Sequence, residues 1–148
     1  MAKMLDANIQ KQILEIFTGL KEPVRVVFFG SAKQNCEYCD QTAQLLEELV
    51  ALSPKLSIAV YDLEQQPDLA ARFHVDKVPG FVLAAVKDGE LVDYGIRYAG
   101  IPAGHEFSSL ISDLLLVSRQ DSGLSRATRD FLSHLDKPVH LQVFVTPT

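Results

Sequence analysis

The feature that most constrains this chain is the pair of cysteines at Cys36-Glu37-Tyr38-Cys39, because of what flanks it. Before it, Val24-Arg25-Val26-Val27-Phe28-Phe29 is β-branched and aromatic and is bounded by Pro23 and Gly30, which reads as a buried strand. After it, Cys39, Ala43, Leu46 and Val50 form one helical stripe flanked by Leu45 and Leu49. A helix is therefore expected from Cys36 to about Leu52, with Asn35 as N-cap and Ser53-Pro54 as its end. At such a helix start, unpaired backbone N–H groups and the positive end of the helix dipole favour a thiolate. Thiols so placed have pKa values lowered from about 8.5 to roughly 3.5–7.5. On this reading Cys36 is the nucleophile. Cys39, one turn later and turned toward the protein, is the thiol that resolves a mixed disulfide formed at Cys36. Glu37 and Tyr38 lie beside the reacting sulfur and are the residues expected to meet a substrate there. Glu37 also opposes ionisation of Cys36, while an acid in the first turn favours the helix, so the net potential is left open.

Two other readings of the pair stand beside this one. A zinc half-site would draw on His134 and His140, whose spacing is zinc-like, but they lie far along the chain from Cys39. Two inert core cysteines are the third possibility. The strand before the pair and the helix after it favour dithiol chemistry, so no metal and no separate cofactor are expected.

The rest of the chain supplies a frame. Asp6 to Leu20 carries Ile9, Ile13, Leu14, Ile16, Phe17 and Leu20 at helical offsets, with Gly19 near its end. Leu56 to Leu63 reads as a second strand and Pro67 to Phe73 as a short helix. Phe81 to Val86 and Leu91 to Arg97 or Tyr98 read as a hairpin joined by Lys87-Asp88-Gly89-Glu90. His105 to Val117 reads as an amphipathic helix. The order strand, helix, strand, helix, strand, strand, helix gives a parallel pair followed by an antiparallel pair. This is an α/β chain with the layout of a thioredoxin-like fold, a four-stranded mixed sheet flanked by helices. In that layout Val78-Pro79 precedes the third strand, where a cis-proline facing the cysteines leaves the backbone of Val78 open to an extended substrate chain. Asp62 at the end of the second strand is read as a solvated acid or an aid to proton transfer. His74 and His105 are read as surface or cap residues, and Glu47, Glu48 and Asp88 as solvated charges.

With 148 residues the chain suits one domain, or one and part of another. A hydrophobic fraction of 47% is enough for a core, and a net charge of −5 argues against nucleic acid as a partner. No apolar run reaches membrane-spanning length, and Met1 to Gln10 has no signal-peptide core, so no membrane partner and a cytoplasmic location are expected. After Arg119 to Gly123, which reads as a linker, a helical stretch Ser125 to Leu135 precedes Lys137-Pro138 and a strand-like run to Thr146. Pro138, Val139 and Phe144 fall on Pro23, Val24 and Phe29 at a constant offset of 115 residues. The expected division is a unit at 1–118, a linker at 119–123, and at 124–148 the helix and first strand of an incomplete second unit, an extra C-terminal helix and strand. The alternative is that any helix–proline–strand sequence looks alike. The strand Val139–Val145 is expected to pair with the first unit's sheet, or with another copy in a homodimer.

Cys36-Glu37-Tyr38-Cys39-Asp40-Gln41, the run Gly95 to Phe107, and Val143-Phe144-Val145-Thr146-Pro147-Thr148 resemble the glutaredoxin-like protein disulfide oxidoreductases of archaea and thermophilic bacteria. The resemblance covers essentially the whole chain. It implies two thioredoxin-fold units in one chain, each with its own Cys-x-x-Cys. It further implies exchange with protein thiols or disulfides, and reduction by a thioredoxin-reductase-like flavoprotein. It carries the nucleophile and resolving roles to Cys36 and Cys39 and the cis-proline role to Pro79. The chain departs from the pattern in length: two complete units at this offset need roughly 230 residues, so it is expected to be an excised piece or a short gene product. A different class of function is a dedicated electron relay or docking module between a flavin disulfide reductase and one fixed partner. Alkyl hydroperoxide reductase flavoproteins have a related two-unit arrangement, but their first unit has lost the cysteine pair, so Cys36 and Cys39 argue against the relay. A glutathione-dependent glutaredoxin is also open, although the Gly-Gly-Asp segment that would hold the tripeptide is not found.

Overall fold

The computed structural model describes residues 2–146. The chain forms α1 (Ala7–Phe17), β1 (Val24–Gly30), α2 (Cys39–Val50), β2 (Leu56–Asp62), α3 (Pro67–Arg72), β3 (Gly80–Lys87), β4 (Glu90–Ala99), α4 (His105–Arg119) and α5 (Arg126–Ser133). The four strands make one sheet in the order β2-β1-β3-β4. β1 runs parallel to β2 and antiparallel to β3, and β3 and β4 form the expected hairpin. The hairpin turns at Asp88 and Gly89, both with positive φ, so its backbone twist matches that of the strands it joins.

β1 lies between two strands and is covered on both faces, which is why its sequence is a continuous apolar run. Alternate residues point to opposite faces. Val24, Val26 and Phe28 meet Ile13 and Phe17 of α1, Leu45, Leu46 and Leu49 of α2, and Leu110 and Leu114 of α4. Val27 and Phe29 meet Ala70 and Phe73 around α3. Burying a side chain such as Leu46, fully shielded here, contributes about 1.5–3 kcal/mol.

Several expectations need correction. α2 starts at Cys39, not Cys36, and Asn35 does not cap it. Residues 36–38 are instead a turn in which the Cys36 N–H donates to Gln34 O (2.7 Å) and the Cys39 N–H to Cys36 O (3.4 Å), bonds that belong to the loop rather than to a helix. In the first helix Ile13 and Phe17 are buried, but Ile9, Leu14 and Ile16 are exposed at 36–46%. An 11-residue helix lying on a sheet covers it with one narrow face only. Glu48 is not merely solvated, since it accepts the backbone N–H groups of Met4 (3.0 Å) and Leu5 (2.9 Å). Those bonds hold its carboxyl below the usual range.

The C-terminal helix forms, with the Ser125 hydroxyl accepting Thr128 N–H at its start. The strand expected at Val139–Val145 does not form, and this segment adds nothing to the sheet, which stays four-stranded. Leu141, Val143, Phe144 and Val145 are 83–90% exposed. An alternating apolar pattern becomes a strand only when a ladder partner takes its backbone hydrogen bonds, and no sheet edge pairs with this segment. Pro147 and Thr148 of the closing motif lie outside the described residues. Among the described residues, no helix is long and apolar enough to cross a membrane.

Candidate functional site

β1 ends at Gly30 and the chain leaves the sheet into the loop that carries Cys36. Cys36 and Cys39 are joined as a disulfide, with an S–S distance of 1.99 Å and Cα atoms 5.4 Å apart. The two sulfurs are not equivalent. Cys36 is half-buried at the loop tip, whereas Cys39, the first residue of α2, is only 8% exposed. Gly30 packs behind Cys39, where a Cβ would lie in ordinary van der Waals contact, 3.5 Å from the Cys39 Sγ. No side chain caps α2, whose Cys39 N–H donates to Cys36 O. Glu37 and Tyr38 are exposed beside the disulfide, Tyr38 at 47%, and Asp40 is the acid in the first turn of α2.

The Val78–Pro79 peptide is cis, as the strand order leads one to expect. Gly80 pairs with Phe29, so Pro79 stands level with the end of β1, where the cysteine loop begins. Pro79 O accepts the Gly100 N–H at 2.8 Å, which ties this corner to the end of β4. Pro79 is buried and Val78 half-buried, and among the described residues no backbone hydrogen bond engages Val78. The tight approach requires glycine at position 80. A Cβ there would sit 2.4 Å from Lys77 O and 2.8 Å from Val75 Cγ1.

The loop between Gly30 and Cys36 is fastened from β2 and the turn after it. Leu63 N–H donates to Gly30 O (2.9 Å). Asp62 accepts the N–H groups of Ala32 (2.9 Å), Glu64 and Gln65 (3.0 Å each). The Ala32 bond is the main reason the Asp62 carboxyl lies below its usual range. Asp62 is thus a loop clamp rather than a free strand-end acid. Ser31, Gln34 and Glu64 join it: the Ser31 hydroxyl donates to both Glu64 oxygens (2.8 Å) and Gln34 Nε2 donates to Oε1 (2.9 Å). Sequence reasoning missed these three. Ser31 ahead of Lys33 and Gln34 was the available signal, a hydroxyl able to accept backbone N–H groups two and three residues on.

The run from Gly95 to Phe107 is structural where it meets the sheet. The Tyr98 ring stacks on Phe81 with centroids 4.8 Å apart, and its hydroxyl donates to Asp113 Oδ2 at 2.6 Å. Burial, then that carboxylate, pushes the phenol far above its ordinary pKa. Arg97 is held by Phe73 O and by Asp93. His74 and His105 are exposed, as read, and so is Asp88. His134 and His140 are exposed in the C-terminal segment, His134 with its Nδ1 2.6 Å from Asp130 O. Among the described residues, no group of three or more His, Cys, Asp or Glu side chains is placed to hold a metal ion.

No family model matches the chain. It is similar to the alkyl hydroperoxide reductase AhpF of Staphylococcus aureus strain NCTC 8325, 30% identical over 148 residues that span 98% of this chain and 25% of that protein. The AhpF of Xanthomonas campestris pv. phaseoli is 28% identical over 95% of this chain and 23% of its own length. The chain therefore spans about a quarter of the length of these curated relatives. Among solved structures, a protein disulfide oxidoreductase from Aeropyrum pernix K1 aligns with a TM-score of 0.75 and 29% identity, covering 90% of this chain and 57% of that one. The NTD_N/C domain of alkyl hydroperoxide reductase AhpF from Enterococcus faecalis V583 aligns with a TM-score of 0.73, 23% identity, and 85% and 58% coverage, a likeness of fold. The fold is thioredoxin-like, with a Cys-x-x-Cys disulfide at the start of its second helix.

Proposed function

We propose that this chain is a protein-disulfide oxidoreductase working through Cys36 and Cys39. The observation that carries the reading is the asymmetry of the disulfide, a reachable Cys36 bonded to a buried Cys39 at an uncapped helix start. In the dithiol form the Cys36 thiolate attacks a substrate disulfide, forms a mixed disulfide and releases one substrate thiolate. The Cys39 thiolate then attacks the Cys36 Sγ, expels the second substrate thiolate and closes the Cys36–Cys39 bond. Two electrons pass to the substrate, and the reverse sequence oxidises a dithiol. Val78 offers its unengaged backbone to an extended substrate, Pro79 holds that backbone in place, and Tyr38 and Glu37 frame the approach. The pair itself is the redox group, so the reading needs no further cofactor. A thioredoxin-reductase-like flavoprotein as donor and a cytoplasmic setting complete it. Residues 1–118 are the redox unit, 119–123 a linker whose first residue, Arg119, completes α4, and 124–148 correspond to the opening of a second unit, since α5 precedes Pro138 as α1 precedes Pro23.

The dithiol form is expected to reduce insulin, read as turbidity of the released chain, and Cys36→Ser to abolish this. An inert wild-type dithiol contradicts the proposal. A second reading, a relay serving one fixed partner, is favoured by the similarity to AhpF. Reduction of a panel of unrelated protein disulfides supports the broad enzyme, whereas a rate confined to one partner supports the relay. A potential near about −270 mV marks a reductant and one near about −120 mV an oxidant.

A further inference from the structure

We infer that Glu64 is a positioning residue for Cys36, acting through Gln34 and Ser31 to fix the loop that presents the nucleophile. The inference rests on the exchange chemistry proposed above and adds a residue to it. Glu64 lies 28 positions after Cys36, in the turn that follows β2. Its Oε1 accepts Gln34 Nε2 at 2.9 Å, and both its oxygens receive the Ser31 hydroxyl at 2.8 Å. The same hydroxyl accepts the N–H groups of Gln34 (2.9 Å) and Lys33 (3.2 Å). One donor and two acceptor sites are all a serine hydroxyl has, so Ser31 is saturated in this one arrangement. Gln34 in turn accepts the Cys36 N–H on its carbonyl at 2.7 Å. Three consecutive hydrogen-bonded links therefore run from a carboxylate outside the loop to the backbone of the reacting cysteine.

A loop with no regular structure owes its shape to such bonds. Bonds to an ionised acceptor are the shorter and stronger kind. When Glu64 lets go, the Asp62–Ala32 bond still holds the start of the loop, but Ser31 and Gln34 lose their side-chain anchor and the Cys36 sulfur spends less time at the start of α2. The N–H groups there are what favour the thiolate. A charge on Glu64, or on Asp62 to which it is hydrogen-bonded, would by itself disfavour a nearby thiolate. Position and charge thus act on Cys36 in opposite directions, and this separates them experimentally.

The test measures the rate of Cys36 alkylation by iodoacetamide in the reduced full-length chain as a function of pH, and the dithiol potential against a glutathione buffer. Glu64→Ala and Gln34→Ala are expected to raise the Cys36 pKa and to slow alkylation at pH 6 about tenfold, as one pKa unit does to the thiolate fraction. Glu64→Gln, which keeps an acceptor for Gln34 without the charge, is expected to stay within about twofold of the wild type and so to rescue the alanine variant. Faster alkylation in both Glu64 variants overturns the inference in favour of a charge effect. Unchanged alkylation in Glu64→Ala, even with a lowered denaturation midpoint, also overturns it. Because alkylation and potential read the thiol directly, a wild type that fails on insulin refutes the proposed substrate class and does not imitate either result.

Discussion

Gly80 shows at the scale of one residue how tightly the site is drawn. An added Cβ meets a backbone carbonyl oxygen, Lys77 O, rather than a flexible chain end. Gly80→Ala is therefore expected to destabilise the protein by about 1–3 kcal/mol, the usual cost of overpacking, measured by urea unfolding, and to lower insulin reduction by shifting the Val78–Pro79 corner. The two cysteines were legible without a structure because their chemistry belongs to the residue type and spacing. Pro79 was legible once the strand order placed it. Glu64 was not, since its partners Ser31 and Gln34 are 33 and 30 positions away and a polar contact across loops leaves no periodicity.

Among the elements, the β1–α2 loop and the turn after β2 behave as one unit joined by Asp62. The folded carboxyl lies below its ordinary value, chiefly through the Ala32 N–H. A lowered folded pKa contributes stability above the unfolded value of about 3.9 and loses it as pH falls through the folded one. Stability is thus expected to drop on acidification below about pH 4, with a smaller drop in Asp62→Asn, and urea midpoints at pH 5 and pH 3 check this. The Asp6 carboxylate accepts the N–H groups of Asn8 and Ile9 at the start of α1. Asp6→Ala is expected to cost about 1 kcal/mol, read in the same unfolding experiment. Strands and helices were readable in order because their periodicities differ. The start of α2 was misplaced because the stripe from Cys39 onward fits a helix beginning at either cysteine. Only the loop's own hydrogen bonds decide for Cys39.

For the whole molecule, the contrast is between a closed unit and an open tail. Residues up to Ser118 pack on both faces of one sheet, whereas α5 buries nothing and the segment after it is exposed throughout its described length. The apolar alternation from Val139 to Val145 was legible, but its strand was not, because a strand depends on a partner and no partner is written in a local pattern. Limited proteolysis is expected to cut first between Gly123 and Val145 and to leave the Cys36 alkylation rate of the remaining body unchanged. Cleavage that begins inside β1–β4 contradicts this division. The central claim is that the half-buried Cys36 attacks and the buried Cys39 resolves, and it is tested most directly by trapping. In a Cys39→Ser protein treated with a protein disulfide, mass spectrometry of the peptides should find the substrate joined to Cys36. In the matching Cys36→Ser protein, no stable adduct should form at Cys39. An adduct at Cys39 with none at Cys36 would reverse the roles and contradict the account.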